Sequence, residues 1–168
     1  MRTLVIMRHA KAESSAPTDY ERQLTERGHA DAVVAGEWLA EQGVDPDYVL
    51  VSAADRTTQT WEDVAVGASW DLTLAEYDQG LYAAGTSTAL DLIREVDDGH
   101  TTVVVIGHNP TMFSLVQLLD DGEGDDEAGN QLALGFPTAA VAVLTYDGDW
   151  SELDEAEASV TAFHVARA

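Results

Sequence analysis

The chain has 168 residues, a length that fits one domain. Asp and Glu number 31 against 8 Lys and Arg, for a formal net charge of -23. That balance argues strongly against nucleic-acid binding, which needs clustered cations, and against docking on anionic lipid. With no cysteine, disulfides, thiolate nucleophiles and Cys-bound zinc are excluded as well.

The acidity is a coat and not a tail: successive thirds of the chain carry 10, 9 and 12 acidic residues, and Lys11 is the only lysine. Carboxylates in place of lysine suit a protein kept soluble in a very salty cytoplasm, where screening tolerates self-repulsion. An ordinary acidic protein is the plainer alternative. Residues 3–7 are apolar but end at Arg8-His9, too short for a signal sequence, so the expected setting is soluble and cytoplasmic.

Strand and helix signals alternate. Residues 4–7 (LVIM) are a short apolar run, as in a strand buried on both faces. Thr25 is placed to cap a helix carrying Ala30, Val33, Val34 and Trp38 that stops near Gly43. Residues 48–52 (YVLVS) form a second strand, and Asp55 caps a helix to about Val66. Trp70, Leu72 and Leu74 alternate with polar residues, which predicts a half-exposed edge strand. Ala89, Leu92, Ile93 and Val96 share one helical face. Residues 102–106 are another buried strand, followed by a helix from Pro110 carrying Met112, Leu115, Val116 and Leu119. Residues 120–127 (DDGEGDDE) lack the ligand pattern of an EF-hand and predict a solvated loop. The uncharged stretch 128–146 predicts a loop and then a buried strand, and residues 160–165 a last strand. This alternation predicts an α/β protein, a three-layer α/β/α sandwich with a mostly parallel central sheet.

In such sheets ligands bind beyond the carboxyl ends of the strands. There the sequence places Arg8-His9, then Ser52 with Arg56, then Gly107-His108-Asn109-Pro110. If these strands are neighbours, two arginines and two histidines meet at one edge. Singly, each has a plain reading: a salt-bridged arginine, a hydrogen-bonded core histidine, an exposed first-turn residue. Together, in a chain nearly stripped of cations, they suit phosphoryl transfer. Guanidinium forks match phosphate oxygens, and neutral imidazole is a nucleophile near pH 7. Catalysis of that reaction is largely positioning and charge stabilisation. Asn109 as N-cap with Pro110 as first residue would aim a helix N-terminus at a bound anion. No HExxH spacing occurs, and the chemistry needs neither metal nor cofactor. His29, His100 and His164 read as a helix-face, a loop and a strand residue.

The motifs VIMRHAKAE (residues 5–13), LTERGHADA (24–32), LVSAADRTTQT (50–60) and VVIGHNP (104–110), in that order, resemble the histidine phosphatase, or phosphoglycerate-mutase-like, superfamily. The small size and the RHAKAE spelling are most similar to its SixA-like branch of phosphohistidine phosphatases. The resemblance implies that His9 attacks phosphorus and becomes phosphohistidine, while Arg8, Arg56 and His108 hold the phosphoryl oxygens and water completes hydrolysis. It implies a further phosphate-side role for Arg22, and Ser14 and Asn109 are additional phosphate-contact candidates. Ala10 stands where the superfamily more often has Gly. Larger members use a carboxylic acid as proton donor. Glu76 and Asp78 are the nearest candidates here, with solvated acidic surface as the competing reading. A phosphohistidine P–N bond breaks readily once the leaving imidazole is protonated, so a dedicated acid matters less for that substrate. The expected partner is a phosphorylated protein of the histidine phosphotransfer type. The rivals are a small-molecule phosphomonoesterase acting on a sugar or nucleotide phosphate, and an idle phosphoprotein-binding module.

Overall fold

Period-two alternation decides which helices each strand meets. In the computed structural model, which describes residues Met1–Ala168, strand β1 (Arg2–Arg8) turns Leu4 and Ile6 to one face and Val5 and Met7 to the other. All four are fully buried. Two hydrophobic cores result, one on each face of a single sheet. Buried apolar area is the main favourable term in folding, about 25 cal/mol per Å².

The remaining elements, in order, are α1 (Glu26–Glu41), β2 (Tyr48–Ser52), α2 (Asp55–Ala68), β3 (Ala75–Asp78), α3 (Gln79–Tyr82), α4 (Thr86–Arg94), β4 (Thr102–Gly107), α5 (Thr111–Leu119), α6 (Asp126–Ala133), β5 (Ala140–Tyr146) and β6 (Ser159–Val165). The sheet order is β3-β2-β4-β1-β5-β6. The pairings from β3 through β1 are parallel, and only β5 runs against the rest. Helices α1 and α2 cover one face, and α4, α5 and α6 the other. The architecture is thus the expected three-layer α/β/α sandwich. Because β2, β4 and β1 are adjacent and parallel, their carboxyl ends open side by side.

Helix α1 is capped by Thr25, whose hydroxyl accepts from the Gly28 amide at 2.9 Å. It packs backbone to backbone on α2. A Cβ at Gly36 would lie 2.1 Å from the Val64 carbonyl oxygen, and one at Gly67 2.1 Å from that of Val33. Only glycine permits that approach.

Four local expectations are corrected. Residues 70–74 are not a strand: Asp71 accepts from the Thr73 amide and hydroxyl, curling Leu72–Leu74 into a 3₁₀ turn. The edge strand is β3, which follows it. Asp55 is the first residue of α2 and not its cap; that place falls to Ala54, and the Asp55 carboxylate accepts from Gln23 Nε2. The solvated loop foreseen for residues 120–127 ends early. Asp125 caps α6 by accepting from the Ala128 amide at 2.9 Å, and Ala128 and Leu132 on successive turns bury one face. Finally, α5 starts at Thr111 with Pro110 in the cap position.

Candidate active site

The groups foreseen for the site stand at strand ends or shortly beyond them. β1 delivers Arg8 and then His9, β2 delivers Ser52 with Arg56 in the first turn of α2, and β4 delivers His108. The His9 backbone is held between strands: its amide donates to Gly107 O at 3.0 Å, and its carbonyl accepts from the Ala139 amide at 3.0 Å. The next amide, of Ala10, donates to Thr60 Oγ1, which in turn donates to the Arg56 carbonyl. The loop bearing His9 is therefore tied to the helix that bears Arg56.

His9 has a defined tautomer. Its Nδ1 lies 2.6 Å from the Ala10 carbonyl oxygen, which can only accept. Nδ1 carries the proton, and Nε2 keeps its lone pair. Burial, with His108, Arg56 and Arg8 nearby, pushes the His9 pKa down to about 3. The imidazole is neutral at pH 7, as a nucleophile must be.

His108 stands beside it, with ring centroids 5.5 Å apart. Its Nε2 is 2.7 Å from the Ser52 hydroxyl. Burial first, then Arg56, pushes its pKa down to about 4. When Ser52 donates to Nε2, His108 Nδ1 carries a proton and a neutral ring becomes a hydrogen-bond donor. That Nδ1, Arg8 Nε and Arg56 Nε are buried and make no hydrogen bond. Unsatisfied buried donors are costly, and the two guanidinium Nε groups, with His108 Nδ1 as a third in that tautomer, are suited to receive an anion. Arg8 NH1 donates to the Phe136 carbonyl at 3.3 Å, and burial lowers the Arg8 pKa from its ordinary value, although guanidinium stays charged.

Asp19, which sequence reasoning passed over, holds the Arg56 end of the cup. Arg56 NH1 donates to the Asp19 carbonyl at 2.8 Å, and NH2 to its carboxylate at 3.1 Å. The same carboxylate accepts from Arg22 NH1 at 3.0 Å and from the Tyr82 hydroxyl at 2.7 Å. These bonds, Tyr82's first and Arg22's second, hold the Asp19 carboxyl well below the usual range. The Tyr82 ring stands edge-on to His108, centroids 5.5 Å apart. Ser52, Asp19 and Tyr82 thus join Arg8, His9, Arg56, His108 and Arg22 at the site.

The other expected residues stand differently. Asn109 is next to His108, but its amide is engaged at both ends: Nδ2 donates to Phe136 O and Oδ1 accepts from the Phe113 amide. The amides of Met112 and Ser114 bond to His108 O and Pro110 O, so the first turn of α5 keeps few free donors for an anion. Ser14 is exposed in the loop after β1. Glu76 is exposed on β3, and Asp78 caps α3, its carboxylate accepting from the Leu81 amide. The largest surface cavity, about 590 Å³, is lined by Asp121, Asp147, Glu152 and Glu157 among others and shares no residue with the cup. Its carboxylates would repel a phosphoryl group.

Two histidines and two arginines gathered beyond neighbouring strand ends are groups suited to a phosphoryl anion. The model of the histidine phosphatase superfamily, branch 1, matches residues 4–88, and the chain belongs to that superfamily of phosphatases. Within it the likeness is to the SixA-like branch. An uncharacterized Mycobacterium tuberculosis protein is 36% identical over 96% of this chain and 100% of its own length. The structure of a Nakamurella multipartitia protein assigned as a SixA phosphohistidine phosphatase superposes with a TM-score of 0.85, at 34% identity, covering 99% of this chain and 97% of that one. The protein histidine phosphatase SixA complexed with tungstate gives 0.74, at 28% identity, over 97% and 96% of the two chains.

Proposed function

We propose that this phosphatase removes the phosphoryl group from phosphohistidine on a protein, through a phosphohistidine formed on its own His9. The observation that carries the reading is the pairing of the His9 imidazole, whose Nδ1 is tied to Ala10, with buried, unpartnered nitrogens of Arg8, Arg56 and His108. His9 Nε2 attacks phosphorus in line. Arg8, Arg56 and His108 take the phosphoryl oxygens, each guanidinium worth roughly 4 kcal/mol of attraction at about 4 Å and an effective dielectric near 20. Arg22 adds charge at the rim. Water then cleaves the phospho-His9 bond, and His9 returns to its neutral form.

Two features favour a nitrogen-bound phosphoryl group over an ester. The carboxylate at the cup, Asp19, is held ionised and has no proton to give an alkoxide. The side chain of Asp19 beside the cup is 53% exposed, which leaves a bulky protein-borne phosphoryl group a way in. The tungstate complex of SixA supports a tetrahedral anion as the guest.

The test is chemical. The wild-type protein, quenched during turnover of a phosphohistidine peptide, should yield an acid-labile, alkali-stable phosphoprotein. His9→Ala should lose both that adduct and turnover. If His9→Ala still hydrolyses the peptide at the parent rate, the nucleophile is another group.

A further inference from the structure

Bracing Arg56 does not use up the carboxylate of Asp19. Asp19 accepts from Arg22 at Oδ1 and from Arg56 and Tyr82 at Oδ2. A carboxylate offers about four acceptor sites, so one on Oδ1 remains free. The side chain is 53% exposed, and solvent-borne donors reach it. Two aromatic rings stand alongside. Tyr82 packs edge-on against His108 at 5.5 Å and against Tyr20 at 5.1 Å. Faces of such rings attract planar cations.

We infer that Asp19 with Tyr20 and Tyr82 forms the leaving-group subsite, and that it takes the imidazole ring of the substrate with its remote nitrogen protonated. The inference rests on the phosphohistidine reading above and names the groups that would enforce it.

The proton balance favours this ligand. In a phosphorylated imidazole one ring nitrogen holds phosphorus and the other can carry a proton. As the P–N bond breaks, its electron pair returns to the bridging nitrogen. With the remote proton in place, the ring departs as neutral imidazole. No acid is needed at the bridging atom. Meanwhile the His9 Nε2 lone pair forms the new P–N bond, and His9 keeps the Nδ1 proton that it donates to Ala10. The phosphoryl group passes between two imidazoles without a proton changing hands. An ionised carboxylate beside the remote N–H stabilises the protonated ring by a charge-assisted hydrogen bond. The same carboxylate repels a departing phenolate or alkoxide and cannot protonate it.

The test compares wild type, Asp19→Asn and Tyr82→Leu on an Nε2-phosphohistidine peptide and on p-nitrophenyl phosphate, with inhibition by vanadate as a gauge of the cup. Asp19→Asn should lower kcat/KM for the peptide by roughly 10- to 100-fold, the worth of one charge-assisted hydrogen bond. Because Asp19 also braces Arg56, its p-nitrophenyl phosphate turnover and vanadate inhibition should weaken too, but by a common factor at least three times smaller than the loss on the peptide. Tyr82→Leu should weaken the peptide selectively in the same way. Equal loss on both substrates, or an equal loss of vanadate inhibition, would mean that Asp19 merely braces Arg56 and would overturn the inference. Undiminished peptide turnover in Asp19→Asn overturns it too. A wild-type protein that cleaves p-nitrophenyl phosphate and leaves the peptide intact overturns the phosphohistidine reading itself.

Discussion

The imidazoles of His9 and His108 are both held neutral, and that has a cost in acid. Their folded-state pKa values, about 3 and about 4, lie below the ordinary value of 6.5. Below pH 6.5 the unfolded chain binds protons that the folded chain refuses. Stability is therefore whole above that pH and is lost as pH falls toward the folded values, at about 1 kcal/mol per pH unit for each histidine. Urea midpoints measured from pH 7.5 to 4.5 should fall steadily, and a His9→Asn, His108→Asn double variant should give a flatter profile. A wild-type profile as flat as the variant's would show that these rings are protonated in the fold. The same residues show what a sequence can disclose. Arg8, His9, Arg56 and His108 were legible because each follows an apolar strand in a chain short of cations. Asp19 was not, since one carboxylate among 31 acidic residues carries no signal and its bonds to Arg56 and Tyr82 span 37 and 63 residues. Ser52 stood in view within the SxxxR segment, but its hold on His108 appears only when β2 and β4 pair.

Among the elements, the α1–α2 contact is the least tolerant. Gly36 and Gly67 bring the two helix backbones together with no room for a methyl group. Gly36→Ala gains helix propensity but drives a Cβ into the Val64 carbonyl, and overpacking of this kind costs about 1–3 kcal/mol. A lowered urea midpoint is the expected result, with a greater loss of phosphatase activity if α2 shifts and carries Arg56 with it. An unchanged midpoint would mean that the helices part without cost. The long amphipathic and buried segments were readable from periodicity. Short elements were not. β3 has four residues and little pattern, and the Asp71 side chain ended the apparent alternation at residues 70–74. Helix α6 was masked by its acidic approach, which reads as solvated coil until Asp125 is seen to cap it.

For the whole molecule the net charge of -23 is the dominant field. Spread over the surface, it repels anionic substrates and strains the fold against itself. Screening shortens from about 10 Å at 0.1 M salt to about 3 Å at 1 M. Melting temperature and kcat/KM should both climb as potassium chloride rises through that range, and a maximum in dilute buffer would refute the expectation. No helix is long and apolar enough to cross a membrane. The sheet order carries one more consequence. Arg8, His9 and His108 spring from neighbouring interior strands gripped on both sides, and Arg56 from the first turn after a third. Asp19 and Tyr20 ride on an outer segment without buried residues, and Tyr82 on the short helix α3, pinned to the core by Leu81. On the leaving-group assignment proposed above, preference between substrates can be retuned at a few rim positions while the histidines on the interior strands stay as they are, with Asp19, which also braces Arg56, the one rim residue tied to both.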